Sequence, residues 1–250
     1  MVTSELDSCG IWAILAALLP AFVMMAYVFW YDRVHPEPIA MLFKGFICGI
    51  VSVGLLYLLR YYLPDYFEWA DNGSNVLDKI KDAFFSAAIP EETVKLVMLW
   101  ILVSKNQFFD DRYDGIVYAV CVGMGFAALE NVDYVYFYAG SSWGSVAAAR
   151  AVLAVPGHYI MAVIMGYFYS VAKFKQKKEW RRLWQLSLIW IAPVLTHGTY
   201  DAIAMNMEYN DTLYIILTIA LFAFCYVFHK LCNRLILKLI LADCSSRKPR

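Results

Sequence analysis

Long apolar runs alternate with short polar loops along almost the whole chain. A helix needs about 20 consecutive apolar residues to cross the hydrocarbon core of a bilayer, and seven runs approach or exceed that length. These runs cover residues 11–30, 39–59, 83–104, 115–139, 146–172, 183–205 and 213–229. The pattern therefore predicts an all-α protein, a single domain over residues 1–250 that forms a polytopic membrane bundle of about seven transmembrane helices.

The composition agrees with a membrane protein and argues against several other classes. Hydrophobic residues make up 62% of the chain and charged residues 17%, whereas ordinary globular domains are about 45–50% apolar and about 25% charged. The formal net charge of zero argues against a nucleic-acid partner. The six cysteines form no CxxC pair, so neither a disulfide framework nor a thiolate zinc site is indicated. Because the first ten residues lack a basic segment, we expect the first run to be a retained span and not a cleaved signal.

Lysine and arginine are distributed unevenly between the two sets of loops that seven spans would create. Most of the 21 basic residues fall in one set, above all in residues 173–182 and 230–250. The opposite set contains the loop of residues 60–82, which carries more acidic than basic side chains. Because cytoplasmic loops are the basic ones, we expect a multi-pass protein of the cell membrane with its N-terminus outside and its C-terminus in the cytoplasm.

Ionisable side chains interrupt four of the seven runs well away from their ends. They are Glu91, Glu92 and Lys95 in the third run, Glu130 in the fourth, His158 in the fifth, and His197 with Asp201 in the sixth. Each one alone is compatible with a structural ion pair or a hydrogen bond between helices. At 1.5 Å per residue, however, Glu92, Glu130, His158 and His197 all lie roughly 12–18 Å from the predicted outer ends of their helices. Their common depth predicts one polar chamber in the outward half of the bilayer, and charged residues at such depth indicate a functional site.

Such a chamber suits the hydrolysis of a peptide bond within the membrane. That reaction requires an activated water molecule, a base that accepts its proton, and donors for the oxyanion. No serine or cysteine stands with a histidine in a nucleophile motif, which argues against a covalent intermediate. Two histidines and a glutamate would also make a zinc site with an open position. The HExxH signature is absent, so such a site would be assembled from separate helices.

Several motifs occur in an order that resembles the PrsW family of intramembrane proteases, distant relatives of the CAAX-processing and bacteriocin-processing membrane proteases. They are YDRVHPEP at residues 31–38, IPEETVK at 89–95 with the family's EExxK motif, FAALEN at 126–131 with FxxxEN, RAVLAVPGHYIMAVIMGY at 150–167, and HGTYD at 197–201 with HxxxD. EExxK alone is a weak signal. The whole series, in order and on separate predicted spans, is a specific one.

The resemblance implies a polytopic membrane peptidase whose best-known role is the first, outer-side cut of a single-pass anti-sigma factor. The expected partners are therefore a single-pass membrane substrate and the lipid bilayer, with no nucleic acid. The positions that match the family's motifs are Glu91, Glu92, Lys95, Phe126, Glu130, His158, His197 and Asp201. Asn131, which follows Glu130, is a weaker candidate for an oxyanion donor.

Our hypothesis for the chemistry assigns a role to each of these side chains. Glu92 or Glu91 acts as the general base on water, and Lys95 tunes its charge. Asp201 orients His197 as a partner behind the reacting groups.

Glu130, His158 and His197 position the water, either through a bound zinc ion or by direct hydrogen bonds. We favour zinc as the cofactor, because two histidines and a glutamate on three helices are a natural ligand set for that metal.

Two other functions are compatible with the same polar residues. A proton-coupled transporter would relay protons through them, but it predicts inverted repeats, and the sequence shows no internal symmetry. A catalytically inactive peptidase-like scaffold predicts the loss of a motif residue, and every motif residue is present.

Overall fold

The computed structural model of the protein describes residues 2–33, 35–71, 73–174, 179–209 and 211–246. Over these residues it contains helices and no β-strand, which confirms the predicted all-α class. The α-helices are α1 (Val2–Tyr31), α2 (Ile39–Tyr62), α3 (Pro64–Ala70), α4 (Val76–Lys81), α5 (Ile89–Val103), α6 (Asp114–Val132), α7 (Trp143–Val152), α8 (Ala154–Phe174), α9 (Glu179–Met205) and α10 (Asp211–Ser246). Parts of the two basic clusters, residues 175–178 and 247–250, lie outside the described residues.

Within the part of the chain that the structure describes, five helical segments are long and apolar enough to cross a membrane. They are Gly10–Tyr31, Ile39–Tyr62, Asp114–Phe137, Gly140–Phe174 and Thr212–Ser246, and they match the first, second, fourth, fifth and seventh predicted spans. The third and sixth predicted spans correspond to α5 with the turn before it and to α9, which carry the ionisable side chains and are therefore less apolar. The membrane-bundle class is confirmed, and the count of seven spans stays a prediction.

α6 lies at the centre of the bundle, packed against α1, α2 and α8. Glycines allow the backbones to approach closely on two of these sides. A Cβ atom at Gly49 of α2 would lie 2.1 Å from the carbonyl oxygen of Val122, and one at Gly166 of α8 would lie 2.3 Å from that of Gly115. Such contacts are typical of small residues in membrane helix interfaces. They fix α6, and with it Glu130, between the two helices.

Two prolines modify the predicted helices. Pro156 divides the fifth predicted span into α7 and α8 at Leu153, because a proline has no N–H for the carbonyl four residues earlier and its ring clashes with that group. Pro90 is preceded by a π-helical turn, Asp82–Ala88, that leads directly into α5.

Pro90 has no N–H to donate to the turn before it, and side chains donate to two carbonyl oxygens of that turn. The hydroxyl of Tyr66 donates to the Phe85 oxygen at 2.8 Å, and the guanidinium of Arg60 donates to the Ser86 oxygen at 3.2 Å. Side chains at the end of α2 and in α3 therefore bind these oxygens in place of a backbone donor, as helix interruptions in membranes require. The acidic pair follows at once, in the first turn of α5.

The last helix is longer than its predicted span. The apolar run ends near His229, but α10 continues to Ser246. The helix continues because Cys232, Ile236 and Leu239 are buried in the main core cluster, and Asp243 accepts a hydrogen bond from Arg112 at 3.0 Å. The basic residues between these positions lie on other faces of the same helix.

Candidate active site

The acidic pair and the lysine of α5 form a buried ionic cluster. The ammonium Nζ of Lys95 lies 2.8 Å from Oε1 of Glu92 and 3.1 Å from Oε2 of Glu91. Beneath it, the ring centroid of Phe126 from α6 is 3.9 Å away, a distance that suits a cation–π contact. All four side chains are buried. Lys95 therefore neutralises part of a charge that would otherwise be costly at this depth.

α9 adds an imidazole that bridges two carboxylates. Nδ1 of His197 lies 2.9 Å from Oε1 of Glu92, and its Nε2 lies 3.1 Å from Oδ2 of Asp201, one helical turn further on. An ionised carboxylate can only accept hydrogen bonds. Both ring nitrogens of His197 therefore donate, and the ring is in the doubly protonated form when these two carboxylates are ionised. Glu91 lies near the same ring, with Oε2 3.9 Å from Nε2.

α8 adds a second imidazole, whose tautomer follows from its partners. Nδ1 of His158 lies 3.2 Å from the ammonium of Lys95, and its Nε2 lies 2.8 Å from Oε2 of Glu130. An ammonium only donates and a carboxylate only accepts. We therefore assign the proton to Nε2, which makes His158 a neutral ring with both nitrogens in use. The rings of His158 and His197 meet edge to face, with 5.6 Å between their centroids.

Arg150 belongs to the site but was not among the predicted functional residues. From the end of α7 it donates to Oε2 of Glu130 at 2.5 Å and to Oδ1 of Asn131 at 2.6 Å. The other end of the Asn131 amide donates to the carbonyl of Ala17 in α1 at 3.0 Å. The signal that could have identified Arg150 is a single arginine within an apolar run, eight residues before His158.

These groups surround a cavity of about 220 Å³. Its ionisable lining consists of Glu91, Glu130, Tyr134, Arg150, His158, His197, Tyr200 and Asp201, and its apolar wall includes Ala87, Ala154, Met161 and Ala204. Glu92, Lys95, Phe126 and Asn131 do not line the cavity. Glu92 is only 1% exposed, so of the two adjacent glutamates it is Glu91 that faces the space where a substrate and water would bind.

The structure brings all seven predicted ionisable site residues into one cluster. Phe126 supports Lys95 and packs against the His158 ring at 5.5 Å. Asn131 instead joins α1 to Arg150, which places it behind the cavity and away from the position that an oxyanion donor would need.

A divalent cation fits one part of the cluster. A carboxylate oxygen from each of Glu91 and Glu92 and a ring nitrogen of His158 lie within 4.8 Å of one another, and these are ligand types that zinc accepts. The ammonium of Lys95 contacts the same three side chains. A metal ion held by all three would have to take the place of this ammonium. The predicted set of Glu130, His158 and His197 shares only His158 with this group and stays a prediction.

Comparison with known proteins identifies the family. The sequence model for "PrsW family intramembrane metalloprotease" matches residues 37–228, a stretch that includes the whole cavity lining. A protein named Protease PrsW from Geobacillus kaustophilus is 34% identical over 193 residues, which cover 77% of this chain and 80% of the relative. The proteins of the same name from Bacillus subtilis (34% over 188 residues; 75% and 80%) and Clostridioides difficile (32% over 200 residues; 78% and 80%) are similar to it as well. No solved structure gives a significant match. The chain therefore belongs to the PrsW family of intramembrane proteases.

Proposed function

We propose that the protein hydrolyses a peptide bond of a single-pass membrane protein near the extracytoplasmic face, and that its substrate resembles an anti-sigma factor. The observation that carries the chemistry is the difference between the two adjacent glutamates. Glu92 is enclosed by Lys95 and His197, whereas Glu91 has one hydrogen bond, from Lys95, and lines the cavity. Glu91 is thus the carboxylate that can accept a proton from water.

The remaining residues hold Glu91 and the substrate in position. A water molecule hydrogen-bonded to Glu91 attacks the substrate carbonyl, and its proton passes to Glu91 and then to the leaving amine. The ammonium of Lys95, 3.1 Å from Glu91, favours the ionised form of that carboxylate, which is the form that acts as a base. Arg150 lines the cavity and uses Nε and Nη2 for its contacts with Asn131 and Glu130. Its remaining N–H groups are donors for the developing oxyanion. His158 is held through its contact with Glu130 and also lines the cavity.

The chain also contains the ligands for a metal-dependent form of the enzyme. A bound zinc ion would act as a Lewis acid and would lower the pKa of its water ligand, and Glu91, Glu92 and His158 would hold it. Because Lys95 occupies the centre of these three side chains, we propose that its ammonium competes with the ion. Replacement of Lys95 by Met should then raise the zinc retained by purified protein against a chelator. An unchanged zinc content in this variant would contradict the competition.

Cleavage is tested with purified protein in liposomes that contain a candidate single-pass substrate, with mass spectrometry to locate the cut. We expect wild-type protein to cleave and Glu91→Gln to be about 10²–10⁴-fold slower, the usual contribution of a general base. Glu68→Gln is the matched control, because Glu68 is an exposed glutamate in α3, away from the cavity. Wild-type cleavage by Glu91→Gln would exclude the proposed site.

A further inference from the structure

A second and larger cavity lies at the opposite ends of the helices that carry the catalytic groups. This groove has a volume of about 690 Å³ and lies between the C-terminal parts of α5 and α8 and the N-terminal part of α9. Its lining consists of Leu96, Val97, Trp100, Val103, Ser104, Asn106, Tyr169, Ala172, Lys173, Arg182, Leu186 and Ile189. The volume is within the range of about 300–1,000 Å³ that is usual for sites binding small organic ligands.

The groove is separate from the catalytic cavity. None of its lining residues lines the cavity around Glu91. Between the two, the indole Nε1 of Trp190 in α9 donates to Oγ1 of Thr93 in α5 at 2.9 Å, and the neighbouring side chains Glu92 and Lys95 of α5 are buried. A peptide in the groove would have to break the α5–α9 contact before it reached Glu91. The groove therefore gives no direct access to the reacting groups.

The lining of the groove is apolar along most of its length and positively charged at one end. Side chains such as Val97, Trp100 and Leu186 form an apolar surface that is open to lipid, with 58% of Trp100 exposed. Lys173 and Arg182 lie where α8 ends and α9 begins, and no carboxylate is present among the described residues that line the groove. The ammonium of Lys173 donates one hydrogen bond to the Phe109 carbonyl and has two further N–H groups. One end is thus cationic while the rest accepts hydrocarbon.

We propose that this groove binds an anionic phospholipid, with its phosphate between Lys173 and Arg182 and an acyl chain along α5 and α9. Basic pockets between membrane helices on the cytoplasmic side are suited to acidic headgroups, and the distribution of Lys and Arg predicts that side for this end of the bundle. A single-pass substrate helix fits less well, because the cytoplasmic flank of such a helix is itself enriched in Lys and Arg, which the two cations would repel.

The test uses the full chain in detergent micelles, titrated with phosphatidylglycerol or with phosphatidylcholine of the same acyl chains. Bound lipid is counted by native mass spectrometry. We expect phosphatidylglycerol to bind preferentially, and Arg182→Gln to weaken its binding about fivefold, the effect of one basic residue near an acidic headgroup. Arg181→Gln removes the same charge from the neighbouring position, which does not line the groove, and should leave binding unchanged.

A second variant blocks the apolar part of the groove. Leu186→Trp should reduce retention of both lipids, and its melting temperature shows whether it is folded. Equal binding of the two lipids, or equal losses for Arg182→Gln and Arg181→Gln, would overturn the proposal. A photo-crosslinker at Val97 that reacts with the transmembrane segment of a substrate in preference to lipid would overturn it as well and would assign the groove to the substrate.

Discussion

Glu91 and Glu92 are neighbours in the sequence with different surroundings, so the same substitution should have different effects at the two positions. Exchange of either carboxylate for the isosteric amide of Gln keeps the shape and removes the charge. Glu92 accepts hydrogen bonds from Lys95 at 2.8 Å and from His197 at 2.9 Å. Glu91 accepts one from Lys95 at 3.1 Å and faces the cavity.

The contacts give the size of each effect. A hydrogen bond to a charged group contributes about 1.5–3 kcal/mol and a neutral one about 0.5–1.5 kcal/mol. Glu92→Gln weakens two such bonds and should lower the free energy of unfolding by about 2–3 kcal/mol, whereas Glu91→Gln weakens one and should lower it by about 1 kcal/mol. For the rate of cleavage we expect the larger effect from Glu91→Gln and the smaller from Glu92→Gln. Loss of the proposed general base, Glu91, should reduce the rate about 10²–10⁴-fold, or about 3–5 kcal/mol in the barrier.

Both quantities can be measured on the same preparations. Unfolding is followed in one detergent with increasing denaturant, and cleavage is followed in liposomes with equal amounts of protein. Glu68→Gln serves as the control for both measurements. The reasoning would be refuted if Glu91→Gln cleaved at the wild-type rate, or if Glu92→Gln were no less stable than Glu91→Gln.

Other positions give further predictions. Arg150→Gln leaves Glu130 without its cation and should lower stability by about 1.5–3 kcal/mol, measured by thermal unfolding, with partial recovery in Arg150→Lys. Gly49→Ala places a methyl group 2.1 Å from a backbone oxygen and should destabilise the bundle in the same assay, whereas Gly54→Ala, which meets open space, should not. Burial raises the pKa of Asp32, in the loop after α1, from 3.8 to about 7. The folded state then holds a proton that the unfolded chain releases, so stability should fall as the pH rises from about 4 to about 7, and Asp32→Asn should flatten that profile in denaturant titrations.

The site could be predicted to a large extent because depth in a membrane helix follows directly from position in the sequence. Glu92, Glu130, His158 and His197 were placed at one level by counting residues at 1.5 Å each, and the structure brings them together. The motif series identified the family for the same reason, since it fixes both the residue types and their order. Neither argument depends on the detailed path of the backbone.

What could not be predicted depends on local packing. The break at Leu153 and the π-helical turn both follow from prolines, but a proline in a membrane helix is also compatible with a kink or a straight segment. The guanidinium of Arg150 reaches Glu130 from the end of the separate α7, a helix that the sequence pattern does not predict. The different surroundings of Glu91 and Glu92 likewise depend on which of the two carboxylates contacts His197. The sequence shows only that the two side chains are about 100° apart around the helix, which does not identify the one that His197 contacts.

The end of α2 and the short helix α3 supply two side-chain donors to the turn before Pro90. Arg60 and Tyr66 therefore connect the α2–α3 corner to the start of α5, although neither lines the cavity around Glu91. An antibody, a peptide or a mechanical load that pulled this corner outward would release both carbonyl oxygens, and the turn before Glu91 would rearrange to recover its hydrogen bonds. The same two bonds that stabilise the resting enzyme would then transmit an event at the membrane surface to the buried acids.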